Sequence, residues 1–276
     1  MGQGIAQVSA QAGHVTHLFD AIPGRAHEAL HAIGVQLDKL VGKGKMSVDS
    51  RTRALDSVRI APDIKSACVE AEIIIEAVPE HMDLKVEIFR AVLAAAPPRA
   101  LLGSNTSSLS ITEIGTRAGA ADRTVGLHFF NPPPVMELLE VVRGLGTSDA
   151  TVERALTFAR QIGKTPIVVR DTPGFATSRL GVVLGAEAIR MLEMGVATVP
   201  DIDKAMELGY RHPMGPLKLT DLVGLDVRLA ILEHLHEEVG EQFRPPALLR
   251  MMVRAGKLGK KTGEGFYRWK DGVPTF

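Results

Sequence analysis

The chain has no surplus of either charge: Lys plus Arg and Asp plus Glu each total 32 in 276 residues, giving a formal net charge of zero. A dedicated nucleic-acid binder needs a basic excess to neutralise phosphates, so no nucleic-acid partner is expected. A single cysteine, Cys68, excludes an internal disulfide framework and fits a reducing compartment. No apolar run approaches the roughly 20 residues that a bilayer-spanning helix needs, so no membrane partner is expected either. The opening Met-Gly-Gln-Gly-Ile-Ala lacks the basic and then apolar order of a secretory signal. The expectation is a cytoplasmic protein, with two domains rather than one at this length.

What is present is an alternation. Helical spacing over 3–12, 23–42, 63–70 and 83–95 is interleaved with apolar runs at 14–19, 73–78 and 100–102. Ser110 with Glu113 forms a capping box that opens another helix. Two runs carrying His128 and Glu140, a helix over 149–161 and a strand over 165–170 follow. This order predicts a parallel sheet with helices on both faces. From Phe175 onward only helical periodicity is found, at 175–193, 200–208, 216–238 and 245–255. The expected fold class is therefore α/β, a doubly wound sheet over residues 1–171 followed by an all-α carboxyl-terminal domain over 172–276.

The stretch from Gly126 to Glu140 concentrates the chemistry. An apolar run delivers His128, a Pro-Pro-Pro segment follows, and a second apolar run carries Glu137 and Glu140. A carboxylate holds a neighbouring imidazole in one tautomer, so a His–Glu pair on adjacent strand ends reads as a general base with its orienter. An isolated histidine is more often structural, and the reading needs further support.

Support comes from the amino terminus. Gly2-Gln-Gly-Ile-Ala opens a helix, and Asp20 closes the next strand 18 positions later. In a dinucleotide-binding unit the helix start faces the pyrophosphate, and an acid about 20 residues on binds the adenosine ribose hydroxyls. Asp20 would repel a 2′-phosphate, which favours NAD over NADP. Gly2 then stands as the third glycine of a G-x-G-x-x-G fingerprint in a Rossmann-like domain whose first strand is missing. That strand is normally central and covered on both faces, worth on the order of 8–15 kcal/mol of apolar burial. The expectation is that the natural polypeptide begins about ten residues upstream or that this copy is damaged. A longer chain would then melt higher and bind NAD more tightly.

Further polar groups fall where parallel strands end, the usual ligand crevice of an open α/β sheet. These are Glu80 with Lys85 one helical turn on, Ser104-Asn-Thr-Ser-Ser108, and His128 with Asn131. Together with Glu76-Ala-Val-Pro-Glu80, His128-Phe-Phe-Asn-Pro132, Asp171-Thr-Pro-Gly-Phe175, His212-Pro-Met-Gly-Pro216 and Lys261-Thr-Gly-Glu-Gly-Phe266, they carry a resemblance. From Gly2 to Phe276 the chain resembles the L-3-hydroxyacyl-CoA dehydrogenase family, and within it the 3-hydroxybutyryl-CoA dehydrogenases.

The resemblance implies an NAD-dependent enzyme that oxidises a short-chain (S)-3-hydroxyacyl-CoA to the 3-ketoacyl-CoA, reversibly. It implies His128 as base, Glu140 as its orienter and Ser107 as a hydrogen-bond partner of the substrate oxygen. Gly2, Asp20, Glu80, Lys85, Ser107 and Asn131 would be cofactor contacts. Ser178 occupies a position where many members carry an asparagine that binds the thioester end of the substrate. Lys43 and Lys45 could meet CoA phosphates, or could simply be solvated surface. The family dimerises through its helical domain, and Leu217, Leu222, Val223, Leu225, Val227, Leu229 and Ile231 are enough for a core, or for a core and an interface. No metal is expected, because pairs such as His27 and His31 lack further ligands. Two alternatives stay open: oxidation of a free hydroxy or sugar acid such as gulonate, and a non-catalytic role.

Overall fold

The computed structural model describes residues 1–275. The chain divides into two compact units, residues 1–171 and Thr172 onward. In the first unit it runs through α1 (Gly2–Gln11), β1 (Thr16–Leu18), α2 (Arg25–Gly42), α3 (Val48–Asp56), β2 (Val58–Ile60), α4 (Ile64–Cys68), β3 (Ile73–Glu76) and α5 (Met82–Leu93). It continues through β4 (Leu101–Ser104), α6 (Ile111–Ala118), β5 (Thr124–Phe129), β6 (Leu138–Arg143), α7 (Asp149–Gln161) and β7 (Thr165–Arg170). The first half of the capping box is present, Ser110 Oγ accepting from Glu113 N at 3.2 Å, whereas the Glu113 side chain pairs with Arg117 at 3.0 Å.

β3 to β7 form one five-stranded sheet in chain order, and β1 with β2 a separate parallel pair. Among the described residues no strand joins β1 to β3, the place where a doubly wound sheet has its first strand. Helices cover both faces of the larger sheet. Leu127 and Phe129 of β5 cluster with Ile5 and Val8 of α1 and with Phe158 of α7. On the opposite face Gly126 lies against Ile111 of α6, 3.1 Å from where its Cβ would stand.

The sheet departs from the all-parallel expectation. β5 and β6 pair antiparallel, and β6 and β7 are parallel to each other, so both run against β3–β5. Residues 130–137 contain no crossover helix, and without one adjacent strands can only meet antiparallel. Two further elements have little pattern to reveal them. α3 buries only Ala54, and β2 is three residues with an exposed arginine at its centre.

The second unit comprises α8 (Thr177–Glu193), α9 (Val199–Gly209), α10 (Pro216–Val223), α11 (Leu225–Glu238) and α12 (Ala247–Arg254). A terminal hairpin of β8 (Arg268–Lys270) and β9 (Val273–Thr275) adds strand to a unit expected to be wholly helical. The expected single helix over 216–238 is two, parted at Gly224, whose φ of 105° no other residue type holds easily. Leu217, Leu225, Leu232 and Leu235 join the core, while Leu222, Val223 and Val227 are exposed.

Two buried aspartates explain the motifs of this unit in structural terms. Asp203 accepts from the amides of Leu217 and Lys218, capping α10, and from the Tyr267 hydroxyl at 2.8 Å. Asp221 accepts from the amides of Phe266 and Tyr267 and from Trp269 Nε1, each at 2.9 Å. A Cβ on Gly215 would collide with Asp203, and one on Gly265 with Asp221. The glycines of the two motifs thus make room for carboxylates that staple the chain end to α9 and α10. Burial raises the Asp221 carboxyl, against the opposing pull of those three donors.

Candidate active site

The site is built on one edge of the five-stranded sheet, where β3, β4 and β5 end. Side chains alternate along a strand, and Leu127 and Phe129 are committed to the face that carries α1 and α7. His128 must therefore project from the other face. Its register partner on β6 is Glu140, and directly opposed residues of an antiparallel pair point to the same side. His128 Nδ1 lies 2.7 Å from Glu140 Oε2. The glutamate side chain is fully buried and the histidine side chain is 9% exposed. A carboxylate only accepts, so Nδ1 carries the hydrogen and Nε2 is the basic nitrogen. The Phe130 ring, 4.6 Å from the imidazole centre to centre, packs beside it.

A second carboxylate system closes the ends of β3 and β4. Glu76 and Ser104 are register partners, and the Ser104 hydroxyl donates to Glu76 Oε2 at 2.8 Å. Glu76 Oε1 accepts from the Val78 amide at 2.8 Å and from Lys85 Nζ at 2.7 Å. Lys85, 1% exposed, also pairs with Glu80 Oε2 at 3.3 Å. The other oxygen of Glu80 gathers the following loop. It accepts from the Thr106 hydroxyl at 2.6 Å, from the amides of Ser107 and Ser108 at 2.8 and 3.1 Å, and from both serine hydroxyls at 3.2 Å. Burial pushes the Glu80 carboxyl up, but the Thr106 hydroxyl, the Lys85 charge and the Ser107 amide outweigh it and hold the group below its ordinary range. Asn105 Oδ1 accepts from the Phe129 amide at 3.0 Å, which fastens the Ser107 loop to the residue after His128.

Helix α1 begins against the same edge. Gly2 faces Ala77, just past β3, and Gly4 faces Pro133, just past β5, with 2.7 Å between its Cβ position and the proline ring. Met1 supplies no side-chain cap and the first turn holds no acid, so the leading amides are suited to an anion. Lys164, at the start of β7's approach, donates to the carbonyls of Pro133 and Met136 at 2.5 and 2.7 Å and braces the loop between His128 and Glu140. Burial lowers its ammonium, and Glu137 opposes the shift.

The structure thus gathers His128, Glu140, Glu80, Lys85 and Ser107 at one sheet edge, with Gly2 opening the helix above it. Asn131 is exposed in the proline loop. Asp20 is exposed at the end of β1, its Oδ1 accepting from the Ile22 amide at 2.9 Å. Lys43 and Lys45 are exposed in the turn after α2, and Ser178 is half-buried in the first turn of α8. Lys164 was not singled out by sequence, while Glu76, Asn105 and Thr106 stand in the stretches Glu76–Glu80 and Ser104–Ser108 with no individual role expected of them. Glu76 offered a further signal, a carboxylate closing the run Ile73-Ile-Ile; Lys164 offered none. Among the described residues no three His, Cys, Asp or Glu side chains converge as a metal set would, and no helix is long and apolar enough to cross a membrane.

Comparison with known proteins meets this geometry. Residues 1–172 match the NAD binding domain of 3-hydroxyacyl-CoA dehydrogenase, and residues 174–269 match the C-terminal domain of the same family. The chain is 42% identical over 272 residues to a probable 3-hydroxybutyryl-CoA dehydrogenase of Bacillus subtilis, covering 98% of this chain and 94% of that protein. It is 40% identical to the human mitochondrial hydroxyacyl-coenzyme A dehydrogenase, over 98% of this chain and 88% of the relative. The crystal structure of (S)-3-hydroxybutyryl-CoA dehydrogenase from Ralstonia eutropha superposes with a TM-score of 0.93 at 38% identity, covering 98% of this chain and 96% of that one. The chain belongs to the 3-hydroxyacyl-CoA dehydrogenase family.

Proposed function

We propose that the protein oxidises short-chain (S)-3-hydroxyacyl-CoA, such as 3-hydroxybutyryl-CoA, to the 3-ketoacyl-CoA with NAD, and catalyses the reverse reduction. The observation that carries this reading is the His128–Glu140 pair, a positioned base with its orienter at a sheet edge. Oxidising a secondary alcohol requires loss of a proton from oxygen as hydride leaves carbon. His128 Nε2 takes the hydroxyl proton, and Glu140 holds the ring in the required tautomer and stabilises the imidazolium that results. Ser107, its hydroxyl turned from the 3.2 Å contact with Glu80, donates to the substrate oxygen and steadies it beside the histidine. Ser178, in the helical unit, takes the thioester end, and Lys43 and Lys45 meet phosphates of CoA.

The residues present suit NAD. The uncapped amides opening α1 at Gly2 answer a pyrophosphate, and exposed Asp20 answers ribose hydroxyls while repelling a 2′-phosphate. Asn131, exposed in the proline loop, contacts the cofactor directly, whereas Glu80 and the buried Lys85 act on it through the Ser107 loop that they order. When bound, NAD supplies the hydride acceptor. The protein pairs with a second copy through its helical unit, a reading supported by Leu222, Val223 and Val227, which stand 39–42% exposed on neighbouring turns. A cytoplasmic location is supported by the buried free Cys68.

Absorbance of NADH, followed with (S)-3-hydroxybutyryl-CoA and with free 3-hydroxybutyrate and gulonate, tests the assignment. Preference for the CoA ester is the expected result. Preference for a free acid overturns the CoA reading, and no turnover of any of them overturns the catalytic one.

A further inference from the structure

Strand β4 ends too early to pair with the last residue of β5. The two run in parallel register over Leu102↔Thr124, Gly103↔Val125 and Ser104↔Gly126, and that register carried forward would set Ser107 opposite Phe129. After Ser104 the chain turns away instead. The amide of Phe129, a residue only 3% exposed, therefore lacks the backbone carbonyl that a longer strand would offer. A buried amide left unpaired is unfavourable. The Asn105 side chain takes the place of the missing carbonyl, its Oδ1 accepting from Phe129 N at 3.0 Å. Only the carbonyl end of a carboxamide accepts, so this contact also fixes which way the group is turned. Residue 105 is held on its other side as well, where its own amide donates to the carbonyl of Glu76 in β3 at 2.9 Å.

Asn105 thus touches both neighbours of β4 at the point where the Ser107 loop begins. Beyond it the loop is braced within itself and against the end of β3. Thr106 Oγ1 accepts from the amides of Ser108 and Leu109 at 3.3 and 2.9 Å, and Glu80 collects the amides of Ser107 and Ser108. Those bonds fix the shape of the loop. They do not fix its distance from β5, the strand that carries His128. That distance runs through the carboxamide, with Ser107 two residues after Asn105 and His128 one residue before Phe129.

We propose that Asn105 is a positioning residue for the oxidation: its carboxamide sets the spacing between the Ser107 hydroxyl and the His128 imidazole, so that both meet one substrate oxygen. This rests on the roles given to His128 and Ser107 under the proposed function. One group takes a proton from that oxygen while the other donates to it, and a loop displaced against β5 cannot serve both contacts. A misplacement of about 1 Å costs on the order of a hundredfold in rate. Leucine at position 105, close to asparagine in size, would remove the acceptor. Glutamine would keep it but lengthen the link by one C–C bond, about 1.5 Å.

The test measures kcat for (S)-3-hydroxybutyryl-CoA, at saturating ester and NAD, in the wild type, Asn105→Leu, Ser107→Ala and the double variant. Each value is divided by the number of NAD-binding sites counted by calorimetry, which removes any loss of folded protein. With Ser107 in place, Asn105→Leu is expected to lower kcat at least about tenfold; with Ser107→Ala already present it should cost less than about threefold, because the contact it would misplace is gone. Should the leucine variant not fold, Asn105→Gln is put through the same cycle with the same expectation. A merely structural role would lower kcat by one factor in both backgrounds, and that result overturns the inference. An unchanged kcat in the Asn105 variant overturns it too. If the wild type turns over the ester and either of these results is found, this inference falls alone. If the wild type does not turn it over, the proposed function falls with it.

Discussion

Glu80 gathers five donors on one oxygen and meets Lys85 with the other, and these contacts tie its ionisation to the order of the Ser107 loop. Its carboxyl is held below the ordinary value in the folded protein. A group with a depressed folded value stabilises the native state above its unfolded pKa, about 4.3 for glutamate, and that contribution is lost as pH falls through the folded value. Urea midpoints measured from pH 7 down to 3 should decline along an acid limb that is shallower in Glu80→Gln; identical limbs would show that Glu80 contributes nothing. The sequence indicates which residues collect at this edge, because carboxylates, serines and a histidine each follow an apolar run. It does not carry which oxygen meets which donor. Glu76 closes the run Ile73-Ile-Ile and Thr106 stands in the stretch Ser104–Ser108, but no spacing says that Ser104 meets the first or Glu80 the second.

The elements were legible where periodicity is strong, as in α7 and β7, whose limits coincide with the apolar pattern. They were not where one residue decides the outcome. Gly224 breaks a continuous helical period because its backbone takes a positive φ, which side-chain periodicity does not register. The direction of β6 follows from the lack of a helix in residues 130–137, an absence easily overlooked beside the His–Glu pattern itself. Packing between α1 and the proline loop is equally silent in sequence. Gly4→Ala would drive a methyl group to within 2.7 Å of Pro133. Overpacking of this kind costs about 1–3 kcal/mol, and the displaced helix start should also weaken NAD binding. Calorimetry with and without NAD checks both effects, and a variant matching wild type in both would show that the contact is slack.

At the scale of the whole molecule, the motifs that carry the family resemblance divide by purpose. Those of the first unit gather polar groups at a sheet edge, whereas the glycines of His212–Pro216 and Lys261–Phe266 make room for buried Asp203 and Asp221. Association of two helical units predicts a particle of twice the 29.6 kDa chain in sedimentation equilibrium. Val223→Asp, which sets a charge among Leu222 and Val227, should yield the single-chain mass; a dimer that survives it lies elsewhere. The central claim concerns one proton. The most direct measurement is turnover of (S)-3-hydroxybutyryl-CoA by His128→Ala, beside NAD affinity by calorimetry. A positioned base is worth roughly 10²–10⁴-fold, so turnover should fall at least about a hundredfold with NAD affinity unchanged. Turnover near that of the wild type would contradict the account.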